Sequence, residues 1–173
     1  MLIQIVSHTP IYVWAILAFL IYRGVLAAST REMAFKRLFI IPAVMLALSL
    51  QDIAAKFGIN GLPLAAWAAG ALCTGLPAWR LGAPGIAAGS TADTVRVRGS
   101  WAPLALMMAI FITKYVTAVS MAIQPALAGH PVFMVAVCAL FGCFNGYFMG
   151  RLARDAATFQ RLGAASAPTA AAA

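Results

Sequence analysis

The stretch that decides the fold spans residues 101–123 and reads WAPLALMMAIFITKYVTAVSMAI. It carries one charged side chain, Lys114, near its middle. A helix needs about 20 consecutive apolar residues to cross a hydrocarbon core about 30 Å thick, and this run is long enough. The sequence therefore predicts a transmembrane helix here, with a lysine at mid-depth.

Four more apolar stretches lie on either side of this one and predict four more spans. The five predicted spans cover about residues 10–28, 38–57, 62–79, 101–123 and 131–150. The chain is 64% hydrophobic and 9% charged, whereas a soluble domain carries roughly 25% charged residues. These observations predict an all-α, polytopic membrane protein whose single domain, residues 1–155, is a bundle of five transmembrane helices. The Ala-rich remainder, residues 156–173, is predicted to be a largely disordered cytoplasmic tail.

The basic residues predict how the spans are oriented. Lys56 falls on one side of the predicted membrane, and the basic residues of the other loops and of the tail fall on the opposite side. The latter are Arg23, Arg31, Lys36, Arg37, Arg80, Arg96, Arg98, Arg151, Arg154 and Arg161. Since loops rich in Lys and Arg stay in the cytoplasm, we expect the N-terminus outside and the C-terminus inside. The net charge of +8 does not indicate nucleic-acid binding, because the basic residues are spread over span ends rather than clustered on one face.

The longest predicted cytoplasmic loop contains a short β pattern. In Thr94-Val95-Arg96-Val97-Arg98-Gly99, apolar and basic residues alternate with the period of a strand. This predicts a β-hairpin-like loop over 84–99, with Arg96 and Arg98 on one face and Val95 and Val97 on the other. Arg96 and Arg98 then contact either lipid headgroups or a docked partner.

Lys114 predicts an intramembrane ion pair. A lysine at the centre of a membrane helix costs about 2.5–3.5 kcal/mol and usually faces a partner in the bundle. By helical rise, Lys114 and Asp52 lie about 20 Å and about 21 Å from the same membrane face, and Asp52 is the acid that falls within a span. We therefore expect a Lys114–Asp52 pair, with Gln51 and Tyr115 as supporting hydrogen-bond partners. Such a pair serves as a proton, ion or solute site, or it only fixes helix order; alternatively, Lys114 extends to the outer interface.

Small residues predict the helix-packing faces. Gly142, Gly146 and Gly150 recur every four residues on the fifth span, and Gly70 belongs to a similar stripe on the third. Small residues at this spacing let helix backbones approach closely. The stripes join helices within one subunit, or they join subunits in a homodimer or larger membrane assembly.

The sequence offers no pattern typical of an enzyme or of a cofactor site. It contains no GxSxG, HExxH, phosphate-binding loop or dinucleotide fingerprint. His8 and His130 are predicted at the same membrane face, but no cysteine or acid completes a metal site there. We therefore expect a non-enzymatic protein without metal or cofactor, whose partners are the lipid bilayer and other membrane proteins.

Several segments resemble an uncharacterised family of small bacterial inner-membrane proteins, a domain of unknown function. The segments are Ser7-His8-Thr9-Pro10, Pro42-Ala43-Val44-Met45-Leu46-Ala47-Leu48-Ser49, Gly99-Ser100-Trp101, Leu104-Ala105-Leu106-Met107 and Lys114-Tyr115. The resemblance covers about residues 1–155 and implies a compact five-helix domain in the bacterial inner membrane. With the orientation above, the N-terminus is expected to be periplasmic and the C-terminus cytoplasmic. The resemblance supplies no activity.

Two functions from different classes fit these observations. The first is a structural or accessory subunit of a membrane assembly. The second is a transporter or channel for a small solute, ion or proton, centred on Lys114 and Asp52. The first is favoured, because a solute path normally needs several lining polar groups and the spans contain few.

Overall fold

The computed structural model describes residues 11–58, 61–90 and 94–166. Within these residues the chain forms five α-helices, three short β-strands and two 3₁₀ helices. The α-helices are α1 (Ile11–Ala28), α2 (Ile40–Phe57), α3 (Gly61–Leu81), α4 (Ala102–Ile123) and α5 (Pro131–Ser166). The strands are β1 (Arg31–Ala34), β2 (Ile86–Ala88) and β3 (Thr94–Val97), and the 3₁₀ helices are Phe35–Phe39 and Pro125–Gly129. The predicted all-α fold with a short β element is confirmed.

Four helical segments among the described residues are long and apolar enough to cross a membrane. They are Phe35–Phe57, Gly61–Leu81, Ala102–Ile123 and Pro131–Arg161. This is consistent with a multi-pass membrane protein. The apolar run Val13–Ala28 in α1 is shorter, and the first predicted span begins at residue 10, outside the described residues. The fifth crossing therefore stays a prediction.

The closest helix pair is α3 with α5. A Cβ atom added to Gly142 would overlap the carbonyl oxygen of Trp67, and one added to Gly146 would overlap that of Ala71. Gly150 and Gly70 lie equally close to the backbone of the facing helix. We call this interface, built on Gly70, Gly142, Gly146 and Gly150, the glycine seam. The structure thus brings the two predicted stripes together within one chain.

The other helices pack less closely. Helix α1 lies against α4, and α2 lies against α5. Helices α1, α2, α4 and α5 line a partly open cavity of about 280 Å³. The bundle therefore has one dense interface, at the glycine seam, and one side that contains internal space.

The sheet at one end of the bundle has the strand order β1–β3–β2, and both pairs are antiparallel. The predicted hairpin corresponds to β2 and β3, with Ala88 opposite Val95 and Ala87 opposite Arg96. Strand β1, from the connection between α1 and α2, adds a third strand that the sequence pattern does not predict. It pairs Glu32 with Arg96 across the sheet. Val95 is 1% exposed and forms the buried centre of the sheet.

The last helix is longer than the sequence predicts. Helix α5 contains 36 residues, about 54 Å at about 1.5 Å per residue, so it exceeds a hydrocarbon core about 30 Å thick. It continues to Ser166, so the prediction that residues 156–173 are largely disordered is wrong for 156–166. Alanine favours helix in this segment, and the Phe159 ring stacks on Phe35 with centroids 4.1 Å apart. Residues 167–173 lie outside the described residues.

Candidate functional site

The carboxylate of Asp52 lies between two lysine side chains. Its Oδ2 atom is 3.2 Å from Lys56 Nζ and 3.5 Å from Lys114 Nζ. Lys56 is four residues further along α2, a spacing that places both side chains on one helix face. Lys114 approaches from α4. The structure therefore brings together the two residues whose depths match in the sequence, and it adds Lys56 as a third member.

The contact between Lys56 and Asp52 could have been predicted from their spacing of four residues on one helix. The sequence favours a different place for Lys56, at the membrane interface, because it lies near the end of the predicted span. We call Asp52, Lys56 and Lys114 the charge cluster. With two ammonium groups and one carboxylate it has a formal excess of one positive charge. The side chains are 21%, 25% and 39% exposed, so the cluster is partly buried within the isolated chain.

Lys114 has a second contact, with an aromatic ring. Its Nζ atom lies 5.7 Å from the centroid of the Phe141 ring on α5, within the range of a cation–π interaction. The ammonium group thus links α4 to α2 through Asp52 and to α5 through Phe141. The backbones of α4 and α5 come close at few other points, so the Lys114–Phe141 contact adds a side-chain link between two loosely packed helices.

The two residues predicted to support the pair behave differently. Gln51 is exposed, and among the described residues it forms no hydrogen bond to Asp52 or Lys114. One residue along a helix turns the side chain by about 100°, which points Gln51 away from the cluster. The ring of Tyr115 stacks with that of Phe111, with centroids 6.3 Å apart. A supporting role for Tyr115 stays a prediction.

Polar side chains elsewhere in the bundle bond to helix backbone or to one another. Thr74 Oγ1 donates to the Cys143 carbonyl at 2.7 Å and so ties α3 to α5 beside the glycine seam. Asn145 Nδ2 donates to the Phe141 carbonyl at 2.8 Å, and Thr117 Oγ1 donates to Thr113 at 2.7 Å. Among the described residues, no buried side-chain nitrogen or oxygen lacks a hydrogen-bond partner. Of these bonds, the one from Thr74 joins two helices, and those from Asn145 and Thr117 return to the backbone of their own helix.

The cavity of about 280 Å³ lies beside the charge cluster, and we call it the intramembrane cavity. Lys114 contributes to its wall together with two other polar residues, Ser49 and Asn145. Ser49 Oγ already accepts a hydrogen bond from Trp67 Nε1 at 3.2 Å. The rest of the wall is aliphatic and aromatic, including Met107 and Phe148. An apolar cavity with a few polar groups suits an apolar chain better than a hydrated ion.

A second cavity, of about 430 Å³, lies at the sheet end of the bundle. Its wall includes four arginines, one each from β1, the first 3₁₀ helix, the end of the sheet and α5. They are Arg31, Arg37, Arg98 and Arg151, and we call the space the arginine cavity. Of these four, only Arg98 is among the predicted headgroup or partner contacts. The other three come together because the fold places the connection between α1 and α2, which carries Arg31 and Arg37, beside Arg151 in the interior of α5.

Arg96 and Arg98 lie in different surroundings. Arg96 is 60% exposed at the side chain and lies 3.1 Å from Glu32 Oε1 across the β1–β3 pair. Arg98 follows the last residue of β3 and lines the arginine cavity, which Arg96 does not. Arg98 also lines a neighbouring cavity of about 350 Å³, together with Arg151. The sheet therefore directs one arginine to an ion pair and the other to a cavity wall.

Both acids in the wall of the arginine cavity already have partners. Glu32 accepts a hydrogen bond from Ser90 Oγ at 2.9 Å in addition to its pair with Arg96. The hydrogen bond from Ser90, followed by that from Arg96, lowers the pKa of Glu32 below its ordinary value of 4.5. Asp155 is buried and accepts a hydrogen bond from the backbone N–H of Gly85 at 2.9 Å. Glu32 is thus paired with Arg96, outside the four arginines, whereas Asp155 also interacts electrostatically with Arg151.

Within the described residues, no histidine belongs to the charge cluster or lines the arginine cavity. His130 is exposed and connects the second 3₁₀ helix to α5. His8 lies outside the described residues. In the part of the chain that the structure describes, no three metal-ligating side chains are grouped.

Comparison with known proteins places the chain in a family. No curated protein and no solved structure matches it. A family of unknown function, DUF6622, matches residues 1–169 and so extends past the predicted domain end at 155. The resemblance to an uncharacterised family is thereby confirmed: the chain belongs to DUF6622.

Proposed function

We propose that this protein is a non-enzymatic structural or accessory subunit of a bacterial inner-membrane assembly. The observation that carries the proposal is that its buried polar side chains, within the described residues, are all hydrogen-bonded. Asp52 is held by two lysines, and the threonines and Asn145 bond to helix carbonyls. Polar groups used in this way stabilise a bundle, whereas a solute path presents them to a channel.

The proposed orientation is N-terminus periplasmic and C-terminus cytoplasmic. The sheet end, with its arginines, then faces the cytoplasm, as the positive-inside rule favours. Single cysteines at Gly129 and Ala87, in a chain whose native cysteines are replaced by alanine, test it. Both sites are exposed, and a Cβ at Gly129 meets no atom within 4 Å. Gly129→Cys should react with an impermeant thiol reagent in intact cells, and Ala87→Cys should react only after lysis; the reverse pattern contradicts the orientation.

The accessory role is tested by removing the charge cluster as a whole. The variant combining Lys56→Met, Asp52→Leu and Lys114→Met leaves no charge stranded, so it should remain stable. If the charges serve only the fold, this variant restores the wild-type phenotype to cells lacking the gene. A matched control is Lys36→Met, which changes one exposed charge outside the cluster. A stable variant that fails to complement, while the control succeeds, contradicts the accessory role.

A transporter is the second candidate function. It is favoured by the position of Lys114, which lies in the wall of the intramembrane cavity and belongs to a cluster with excess positive charge. Failure of the stable, charge-free variant to complement supports this candidate, because the charges are then needed for the activity itself.

The partners that we propose are the lipid bilayer and either a second copy of this chain, in a homodimer, or other membrane proteins, in a larger assembly. The glycine seam is occupied within the chain, so such contacts use other faces, including exposed apolar residues of α1 and α2. The molar mass in a mild detergent, measured by light scattering with the detergent contribution subtracted, tests this. A monomer in detergent, together with an absence of cross-links to other proteins in native membranes, contradicts it.

A further inference from the structure

We propose that the arginine cavity is a binding site for an anionic amphiphile, with a phosphate or carboxylate headgroup between the arginines and an alkyl chain extending into the intramembrane cavity. The inference does not depend on the accessory role. It rests on the charge of one cavity, the apolar wall of the next, and the residues that the two share.

The charge balance of the arginine cavity favours an anion. Four guanidinium groups and two carboxylates line it, so its wall has a formal excess of two positive charges. One of the carboxylates, that of Glu32, is already paired with Arg96, which lies outside the wall. Among the described residues, none of the four arginines forms an ion pair with an acid within 4.0 Å.

The type of cation favours phosphate or carboxylate. A guanidinium group presents several N–H donors in a planar fork, which matches the paired oxygens of these anions. Arg31 and Arg37 come from the β1 side, and Arg98 and Arg151 come from the β3 and α5 side. Arg31 lies opposite Val97, the residue before Arg98, in the β1–β3 pair, and all four arginines line one cavity, so several guanidinium groups can share the charge of one anion.

The wall between the arginines is apolar, which favours an amphiphile over a free anion. It includes Met33, Leu38 and Leu152, and a hydrated phosphate would leave these side chains facing water. Met107 and Phe148 line both the arginine cavity and the intramembrane cavity. The arginine cavity and the intramembrane cavity are therefore neighbours, with the flexible side chain of Met107 and the ring of Phe148 between them.

The distance between the two cavities suits an alkyl chain. Arg151 in one wall and Phe141 in the other are ten residues apart on α5, about 15 Å along the helix axis. A headgroup at Arg151 directs its chain along α5 toward the middle of the bundle. Basic pockets at the ends of membrane helices bind anionic lipid headgroups in the same manner.

The test uses three probes on delipidated protein in a neutral maltoside detergent. Lysophosphatidylglycerol supplies an anion and a chain, lysophosphatidylcholine supplies a chain without net charge, and inorganic phosphate supplies an anion without a chain. Of the three probes, we expect only lysophosphatidylglycerol to raise the unfolding temperature, measured by tryptophan fluorescence. It should also remain bound as a single adduct in native mass spectrometry. Equal effects of lysophosphatidylcholine or of inorganic phosphate would overturn the proposal, since one half of the amphiphile would then suffice.

Variants locate the site. Arg37→Gln and Arg151→Gln should each raise the Kd for lysophosphatidylglycerol about tenfold, the effect of losing one charge-assisted hydrogen bond. Arg80→Gln is the matched control, because Arg80 is an exposed arginine at the end of α3 that lines neither cavity, and its Kd should equal that of wild type. Arg151 lies near Asp155 and Gly85 and its loss could disturb the fold, whereas Arg37 is exposed and forms no ion pair within the described residues. An equal Kd for Arg37→Gln and Arg80→Gln overturns the site.

A further variant tests whether the alkyl chain enters the intramembrane cavity. Ile110→Trp adds bulk in the wall of the intramembrane cavity, at a residue that does not line the arginine cavity. We expect it to weaken a sixteen-carbon lysolipid at least about tenfold and an eight-carbon anionic analogue much less, because only the long chain fills the intramembrane cavity. An equal loss for both chain lengths would show that the chain does not enter the intramembrane cavity.

Discussion

The two sides of this bundle are packed in opposite ways. Along the glycine seam, α3 and α5 approach so closely that a single added methyl group would overlap backbone. Around the intramembrane cavity, α1, α2, α4 and α5 leave space between larger side chains, and Lys114 links α4 to α2 through Asp52 and to α5 through Phe141. In lipid no hydrophobic force drives helices together, so packing and polar contacts must do so. Close backbone packing is confined to the seam, whereas the side with the cavity adds an ion pair to looser helix packing.

The largest effect is expected at the seam. Gly146→Leu places a side chain against the Ala71 carbonyl and Thr74 Oγ1, so the helices must separate. We expect a loss of about 3 kcal/mol or more in the free energy of unfolding, at or above the top of the usual overpacking range, measured by thermal or denaturant unfolding in detergent. The control is Leu140→Ile, at an exposed position of the same helix. Equal losses for both variants would show that the seam is not the dense interface.

The next effect is expected in the charge cluster. Asp52→Leu removes the acid that both lysines share, whereas Lys114→Met leaves Asp52 paired with Lys56. Breaking a fully buried pair costs about 3–5 kcal/mol, and partial exposure reduces this, so we expect about 1–3 kcal/mol for Asp52→Leu and less for Lys114→Met. Denaturant unfolding of both single variants in detergent measures the two losses, and a larger loss for Lys114→Met would contradict this expectation.

A double-mutant cycle sharpens the same point. Lys114→Met combined with Asp52→Leu should be more stable than Asp52→Leu alone, because one stranded lysine is gone. Strict additivity of the two single changes would mean that the ammonium group and the carboxylate do not interact, and charge would then not hold the side with the cavity together.

A smaller effect is expected where α5 extends beyond the seam. Phe159→Ala removes the ring stacked on Phe35, and such pairs contribute about 0.5–1.5 kcal/mol beyond their buried area. The end of α5 should then fray, with faster amide hydrogen exchange at 156–161. Gln160→Ala, at an exposed neighbouring position, is the control. Unchanged exchange in Phe159→Ala would show that alanine propensity alone holds this segment.

The smallest effect is expected at the exposed Glu32–Arg96 pair. Hydrogen bonds from Ser90 and Arg96 lower the pKa of Glu32 below 4.5, so its contribution is present at neutral pH and is lost as the pH falls through the lowered pKa. Glu32→Gln should therefore lower the unfolding temperature slightly at pH 7, and the difference from wild type should shrink as the pH falls through the lowered pKa of Glu32. A difference that grows in acid would contradict this sign.

The sequence by itself determined most of the helical framework. The apolar runs predict the helices because a bilayer demands about 20 apolar residues per crossing. The spacing of Gly142, Gly146 and Gly150 predicts a packing face, and the matched depths of Lys114 and Asp52 predict their proximity. These features are local or depend only on helical rise, so they survive without knowledge of the fold.

Tertiary structure alone decided which helices meet and what space remains between them. Strand β1 forms because β3 supplies pairing partners 60 to 66 residues away, and no local pattern in Arg31–Ala34 predicts a strand. The partner of the glycine stripe could have been a second subunit, yet it is α3 of the same chain. The arginine cavity exists because β1, the 3₁₀ helix and α5 converge at one end of the bundle. Cavities depend on the relative placement of distant elements, and a periodic pattern along the chain carries no information about that placement.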